Sequence, residues 1–86
     1  MTSSEFERLA KTAVAKVMKA KHGIAVKYED LELVWFAHEL GNKKCMIYGP
    51  ALGLYYPEVT YNADKQELYV DVYIKRSNTV FHPKRS

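Results

Sequence analysis

The chain has 86 residues, of which 48% are hydrophobic, and it carries a formal net charge of +3. This composition favours one folded domain over residues 1–86 and argues against intrinsic disorder. A single cysteine excludes an intrachain disulfide, and no apolar run is long enough for a signal peptide or a membrane-spanning helix, so a cytoplasmic protein is predicted.

The charges divide the chain into three zones. Residues 1–28 hold six basic and two acidic side chains, residues 29–74 hold three basic and eight acidic, and residues 75–86 hold four basic and none acidic. Such a layout bears on association more than on fold. The acidic middle argues against a nucleic-acid-binding surface that extends over the whole protein.

The first predicted element is an amphipathic helix over residues 5–21. Ser4 and Glu7 have the spacing of a capping box, and Gly23 is typical of the left-handed residue that ends a helix. Apolar residues recur at helical spacing and predict one buried stripe, made of Phe6, Leu9, Ala10, Ala13, Val17 and Ala20.

Four strands are predicted after a connector at 24–29, within which a short strand is one option. They cover residues 32–40, 44–48, 54–61 and 67–75. In the first, Val34, Trp35 and Phe36 make both faces apolar, which predicts a central position or cover on both sides. Pro57 cannot donate to a ladder, so the third strand is expected at an edge or with a bulge there.

The predicted fold is therefore α+β, with one amphipathic helix packed on an antiparallel meander of three to four strands. Residues 1–3 and 82–86 are expected to fray, although Val80 and Phe81 could extend the sheet briefly. Alternation in the last strand predicts an inward set of Leu68, Val70, Val72 and Ile74, joined by Val59 and Tyr61.

No pattern in the sequence predicts catalysis, a cofactor or a metal. The histidines at positions 22, 38 and 82 lack metal-ligand spacing, and Cys45 is the only thiol. His38 lies across the first predicted hairpin from Cys45, which is a weak basis for a nucleophile and base. The glycines at 49 and 53 lack the Lys-Ser/Thr of a phosphate-binding loop. We therefore expect no enzymatic activity.

The outward face of the last hairpin is the strongest functional signal. Tyr56, Tyr69 and Tyr73 should share one sheet face with the carboxylates of Glu58 and Asp71. Tyrosine is enriched at the cores of protein interfaces because it buries a large area and keeps one polar group. Tyrosine also suits strands for intrinsic reasons, so a plain solvent-facing surface is the other interpretation.

The outer side of the helix offers an alternative surface. Four cations lie opposite the apolar stripe and could contact phosphates, namely Arg8, Lys11, Lys16 and Lys19. Aromatic residues are not interleaved with these cations, so stacking on nucleobases is not indicated. A solvated helix face explains the same pattern.

Residues 30–76 resemble an uncharacterised family of small proteins from Gram-positive bacteria and their phages and prophages. Members of that family share an N-terminal helix, a Val-Trp strand and a characteristic tyrosine-rich hairpin. The matching positions are Val34-Trp35, Val59-Thr60-Tyr61-Asn62, Asp64-Lys65, Glu67-Leu68-Tyr69, Asp71 and Tyr73. The resemblance implies a small accessory protein of mobile genetic elements, and it implies no catalytic residues.

These observations predict a non-enzymatic, phage-associated protein-interaction module. It would bind a protein partner, or a second copy of itself, through Tyr56, Glu58, Tyr69, Asp71 and Tyr73. The alternative is a nucleic-acid-binding accessory protein that uses the basic helix face. Neither hypothesis involves a membrane or a metal.

Overall fold

The computed structural model describes residues 1–77 and 79–83, and it has one helix followed by four strands. The strands form one antiparallel sheet in the order β1-β2-β3-β4, which confirms the predicted α+β meander. Short 3-10 turns precede β1 and β3. The elements are α1 (Ser3–His22), β1 (Glu32–Glu39), β2 (Asn42–Tyr48), β3 (Tyr55–Asn62) and β4 (Glu67–Ile74).

The start of α1 differs from its prediction. Thr2 is the N-cap: its Oγ1 accepts from the Glu5 backbone N–H at 3.1 Å, and the Glu5 carboxylate accepts from the Thr2 N–H at 3.2 Å. The predicted box of Ser4 and Glu7 is wrong, because the same spacing occurs two residues earlier and yields a longer helix. The hydrogen bond that the Glu5 carboxylate accepts from the Thr2 backbone lowers the pKa of Glu5, and the Thr2 side chain adds to this effect. Gly23 ends the helix at φ 68°, as predicted.

The buried stripe of α1 follows a strict spacing of four. Leu9, which was predicted inside, is 40% exposed, and Ala20 is also exposed. Apolar residues cover a wide arc of this helix, so sequence periodicity alone did not define the buried row. That row consists of Phe6, Ala10, Val14 and Met18.

The helix packs on one face of the sheet, and the core lies between them. Cys45, Ile47 and Val59 are fully buried on that face. Five members of the predicted inward set pack there, whereas Ile74 is 52% exposed because it ends an edge strand. The five are Val59, Tyr61, Leu68, Val70 and Val72.

The sequence predicts that β1 is central or covered on both sides, and both predictions are wrong. It forms one edge of the sheet, and Val34, Trp35 and Phe36 are 57%, 37% and 36% exposed. A register shift between Leu33 and Trp35 inserts one extra residue. The bulge interrupts the alternation of side chains, which explains why both faces of this strand read as apolar.

Pro57 lies in an interior strand without a bulge, so both predictions for it are wrong. It is paired with Val72 of β4, and the ladder between β2 and β3 ends one residue away, at Met46 and Glu58. The Lys75 N–H donates to the Leu54 carbonyl at 2.9 Å, and hydrogen-bonded pairs alternate from there. The backbone nitrogen of Pro57, which has no hydrogen to donate, therefore faces β2, where the ladder has ended.

The connector and the tail add no strand among the described residues. Residues 24–27 form no strand, and Ile24 and Val26 pack against the core before a 3-10 turn at Tyr28–Asp30. Residues 79–83 form no extension, and Phe81 is 81% exposed. The predicted fraying of residues 84–86 lies outside the described part of the chain. No helix within that part is long and apolar enough to cross a membrane.

Candidate protein-binding face

The sheet face opposite α1, here called the open face, collects the five predicted binding residues. Tyr56 pairs with Tyr73, Glu58 pairs with Asp71, and Thr60 pairs with Tyr69. Directly paired residues project to the same side of a sheet. The structure therefore places the predicted tyrosines and carboxylates side by side on neighbouring strands.

Sequence reasoning missed three large side chains of the open face, namely Trp35, Met46 and Tyr48. Trp35 of β1 pairs with Met46 of β2, and Met46 alternates with the buried Cys45 and Ile47. The alternation in β2 was a signal that could have revealed Met46. No such signal existed for Trp35, because the bulge in β1 sets which way it points. The open face is thus aromatic across the whole sheet.

The tyrosines of this face differ in how freely they meet solvent. Tyr69 and Tyr73 are 40% and 53% exposed, while Tyr48 and Tyr56 are partly buried with ring centroids 6.1 Å apart. The Tyr48 hydroxyl donates to the Gly53 carbonyl at 2.8 Å, which fixes that ring. A ring whose orientation is already fixed loses little conformational entropy when it contacts a partner.

The Tyr69 hydroxyl is held by a neighbouring carboxylate. It donates a hydrogen bond to Glu67, two residues earlier on the same strand. This bond raises the pKa of Tyr69, and the nearby negative charge acts in the same direction. Tyr69 is therefore a neutral hydrogen-bonding group on the open face.

The charge of the open face is strongly negative. This face carries five carboxylates and two lysines, since the pairing puts Glu32, Glu39, Glu58, Glu67 and Asp71 there with Lys44, and Lys75 follows β4 on the same side. Lys44 is already engaged with Glu58 at 3.1 Å, and the Glu58 side chain is only 18% exposed. Asp71, opposite Glu58, is exposed. The arrangement favours a positively charged partner.

A shallow depression of about 270 Å³ lies at the β1–β2 turn beside the open face. Leu40 at the turn is 94% exposed and adopts a left-handed conformation with φ 52°. The Leu40 side chain is therefore not stabilised by burial within its own chain. The lining residues are Ala37, Glu39, Leu40, Asn42, Lys43, Lys44 and Thr60.

The candidate nucleophile is placed unfavourably for catalysis. Cys45 is fully buried, and desolvation raises the pKa of its thiol to about 12, with smaller contributions from Glu7 and Glu58. His38 pairs with Lys43 across the hairpin, and its Nε2 lies 3.4 Å from the Lys43 Nζ. The geometry thus gives Cys45 no adjacent histidine base in its strand pairing.

The histidines and acidic residues in the described part of the chain do not converge. The His22 ring packs at a tilt against the Tyr55 ring with centroids 4.5 Å apart, whereas His38 contacts Lys43. Within residues 1–77 and 79–83, no group of three or more His, Cys, Asp or Glu side chains is placed to hold a metal ion.

The basic helix face is smaller than the sequence suggested. Arg8, Lys16 and Lys19 are exposed, but the Lys11 side chain is only 13% exposed. Lys11 is bound to Glu7 at 2.9 Å and lies 5.3 Å from the centroid of the Tyr28 ring. It is therefore occupied within the protein, which leaves three cations on the outer face of α1.

Comparison with known proteins gives a family and no activity. The model of a family of unknown function (DUF6275) matches residues 7–83. Searches of curated proteins and of solved structures found no similar protein.

Proposed function

The chain belongs to this family of unknown function, and we propose that it acts as a non-enzymatic protein-interaction module whose open face binds a partner protein. The observation that carries the proposal is the one-sided cover of the sheet. Helix α1 covers one face, while the other presents Trp35, Tyr69 and Tyr73, each more than a third exposed. Exposed aromatic surface of this kind is typical of interaction sites.

The charge of the open face defines the partner that we propose. Five carboxylates against two lysines favour a polypeptide segment that carries lysine or arginine among apolar side chains. Such cations can stack on the rings of Trp35 and Tyr73 while they approach Asp71. The aromatic rings supply apolar area that a partner can bury, and the carboxylates favour a partner with positive charge.

Truncation of the tyrosines tests this surface. The wild type is used to capture binding proteins from a bacterial lysate, and the dissociation constant of one purified partner is then measured with each variant. Tyr69→Ala and Tyr73→Ala should each weaken binding about tenfold or more, as expected for interface tyrosines. Both variants should still melt cooperatively, because neither side chain is in the core.

Tyr28 provides the matched control for this experiment. It is 39% exposed, similar to Tyr69, but it lies on the 3-10 turn before β1 and not on the open face. Tyr28→Ala should leave the dissociation constant unchanged. Equal binding by all three variants, or a loss only with Tyr28→Ala, would show that the open face is not the binding surface.

The alternative of nucleic-acid binding predicts a different result. Affinity for DNA or RNA would fall steeply with salt and would be lost when Arg8, Lys16 and Lys19 are changed together to alanine. On α1, three of the four predicted cations remain to support this alternative, since Lys11 is engaged with Glu7 and Tyr28. We therefore favour the protein partner.

We further propose that the protein is a cytoplasmic accessory protein of a bacterial mobile genetic element. The similarity of its tyrosine-rich hairpin to small proteins of Gram-positive bacteria and their phages supports this origin. The single cysteine agrees with a reducing compartment. The neighbourhood of the gene tests the proposal: phage integration or structural genes beside it are expected, and a consistent housekeeping operon would contradict it.

A further inference from the structure

The outer edge of β4 has backbone groups that the sheet does not use. The bond from the Lys75 N–H to the Leu54 carbonyl sets the alternation between β3 and β4, so odd-numbered residues of β4 bond to β3. The N–H and C=O groups of the even-numbered residues point away from the sheet. These residues are Leu68, Val70, Val72 and Ile74.

The two edges of the sheet differ in their protection. Strand β1 carries the bulge between Leu33 and Trp35, and a bulge is a common device against pairing with a further strand. Strand β4 pairs with β3 without any register shift over its eight residues, and it contains no proline. Among the residues that the structure describes, none pairs with this regular edge, so its hydrogen-bonding groups are free.

The sequence of β4 reads almost symmetrically about Asp71. On either side of it stand Val70 and Val72, then Tyr69 and Tyr73. Next come two branched aliphatic residues, and then one acidic and one basic residue. These outer pairs are Leu68 with Ile74 and Glu67 with Lys75.

Such symmetry matches antiparallel pairing between identical strands. A two-fold axis through Asp71 would place each residue opposite the one equally far on the other side. We propose that the β4 edge pairs with β4 of a second copy of this chain in this register, which forms a continuous eight-stranded sheet. The inference does not depend on the open face as a binding surface.

In this register, aliphatic residues face aliphatic residues, tyrosines face tyrosines, and acidic residues face basic ones. On the helix side, Val70 would meet the second copy's Val72, and Leu68 would meet its Ile74, which covers a side chain now 52% exposed. On the open side, Tyr69 would meet the second copy's Tyr73. Glu67 would meet Lys75 of the second copy twice across the axis, and cross-strand pairs of these kinds are stabilising.

Asp71 is the one unfavourable position in this dimer. It would lie on the axis, directly opposite its own copy, in a pair whose side chains are close because the backbone groups of Asp71 bond to β3. Like charges placed directly opposite are destabilising. The native dimer is therefore weak, and removal of this charge strengthens it.

Sedimentation equilibrium across a concentration series tests the proposal. The wild type should show a reversible monomer–dimer equilibrium, and Asp71→Asn should tighten it about threefold or more. Val70→Pro removes an outward N–H and should leave a monomer, while Val70→Ala keeps that N–H and should still dimerise. Circular dichroism melts show whether each variant is folded.

Charge reversal identifies the register. Glu67→Lys and Lys75→Glu should each weaken the dimer about three- to tenfold, and the double variant should restore it. If wild type and Asp71→Asn both stay monomeric at every concentration, the proposal is wrong. A dimer that is indifferent to Val70→Pro and to the charge reversals would use another surface and would also overturn it.

Discussion

At the scale of single residues, Gly49 shows how a close backbone approach restricts the sequence. It is buried at the end of β2, and a Cβ atom there would collide with the Asp30 carbonyl oxygen and crowd the Leu31 side chain. This close approach explains why position 49 is a glycine.

Gly49→Ala should therefore destabilise the protein by about 1–3 kcal/mol, the usual cost of overpacking. The midpoint of urea unfolding measures the effect. Ala51→Ser, an exposed position in the same loop, is the control and should stay within about 0.5 kcal/mol of the wild type. An unchanged midpoint for Gly49→Ala would mean that the backbone at Asp30 moves freely.

The Cys45 thiol gives a pH dependence with a definite sign. Its pKa is raised from 9.0 to about 12 in the folded protein because burial disfavours the thiolate. Between these values the unfolded chain ionises and the folded chain does not. The free energy of unfolding therefore falls as the pH rises from 9 toward 12, by up to about 1.4 kcal/mol per pH unit.

Comparison with Cys45→Ala isolates this effect from the titration of other groups. The free energy of unfolding, measured by urea at several pH values above 9, should fall more steeply for the wild type than for the variant. Parallel curves for the two proteins would show that the thiol ionises as easily in the folded state as in the unfolded one.

Alternation along a strand predicts a site only where the strand is regular. Tyr69, Asp71 and Tyr73 were placed on one face correctly because β4 has no register shift. Trp35 was not placed, because the bulge in β1 depends on contacts with β2 that the local sequence does not encode.

At the scale of elements, the helix start is a choice between two equivalent signals. Thr2 with Glu5 and Ser4 with Glu7 have the same spacing, and the structure uses the first. The longer helix gains backbone hydrogen bonds, among them the one from the Phe6 N–H to the Thr2 carbonyl at 3.0 Å. Local sequence alone does not rank two such starts.

Thr2→Ala should cost about 1 kcal/mol of stability because the Glu5 N–H loses its side-chain acceptor. Ser4→Ala is the matched control and should change stability by no more than about 0.5 kcal/mol, since Ser4 lies within the helix and is exposed. Thermal melts measure both variants. A larger loss for Ser4→Ala than for Thr2→Ala would restore the cap that the sequence first suggested.

The surroundings of individual strands were the least predictable part of the fold. The position of β1 at the edge and of Pro57 inside the sheet follow from long-range pairing. Pro57 is tolerated because one ladder ends beside it and because its pair with Val72 does not need its N–H. These conditions exist only once β2 and β4 flank β3.

At the scale of the whole molecule, the zones of charge along the chain become two opposite surfaces. The outer side of α1 carries Arg8, Lys16 and Lys19, while the open face carries the carboxylates of the sheet. The core separates the two surfaces. Such a dipolar molecule would orient a cationic partner toward the open face before contact is made.

The open face is the proposed binding site for a partner protein. The most direct measurement is photo-crosslinking in bacterial cells, with a benzoylphenylalanine in place of Tyr73 on the open face or of Lys16 on the outer side of α1. We expect an adduct with another protein from position 73 only, and its loss when Asp71→Lys is added. Adducts from position 16 alone, adducts with a second copy alone, or none from position 73 would contradict it.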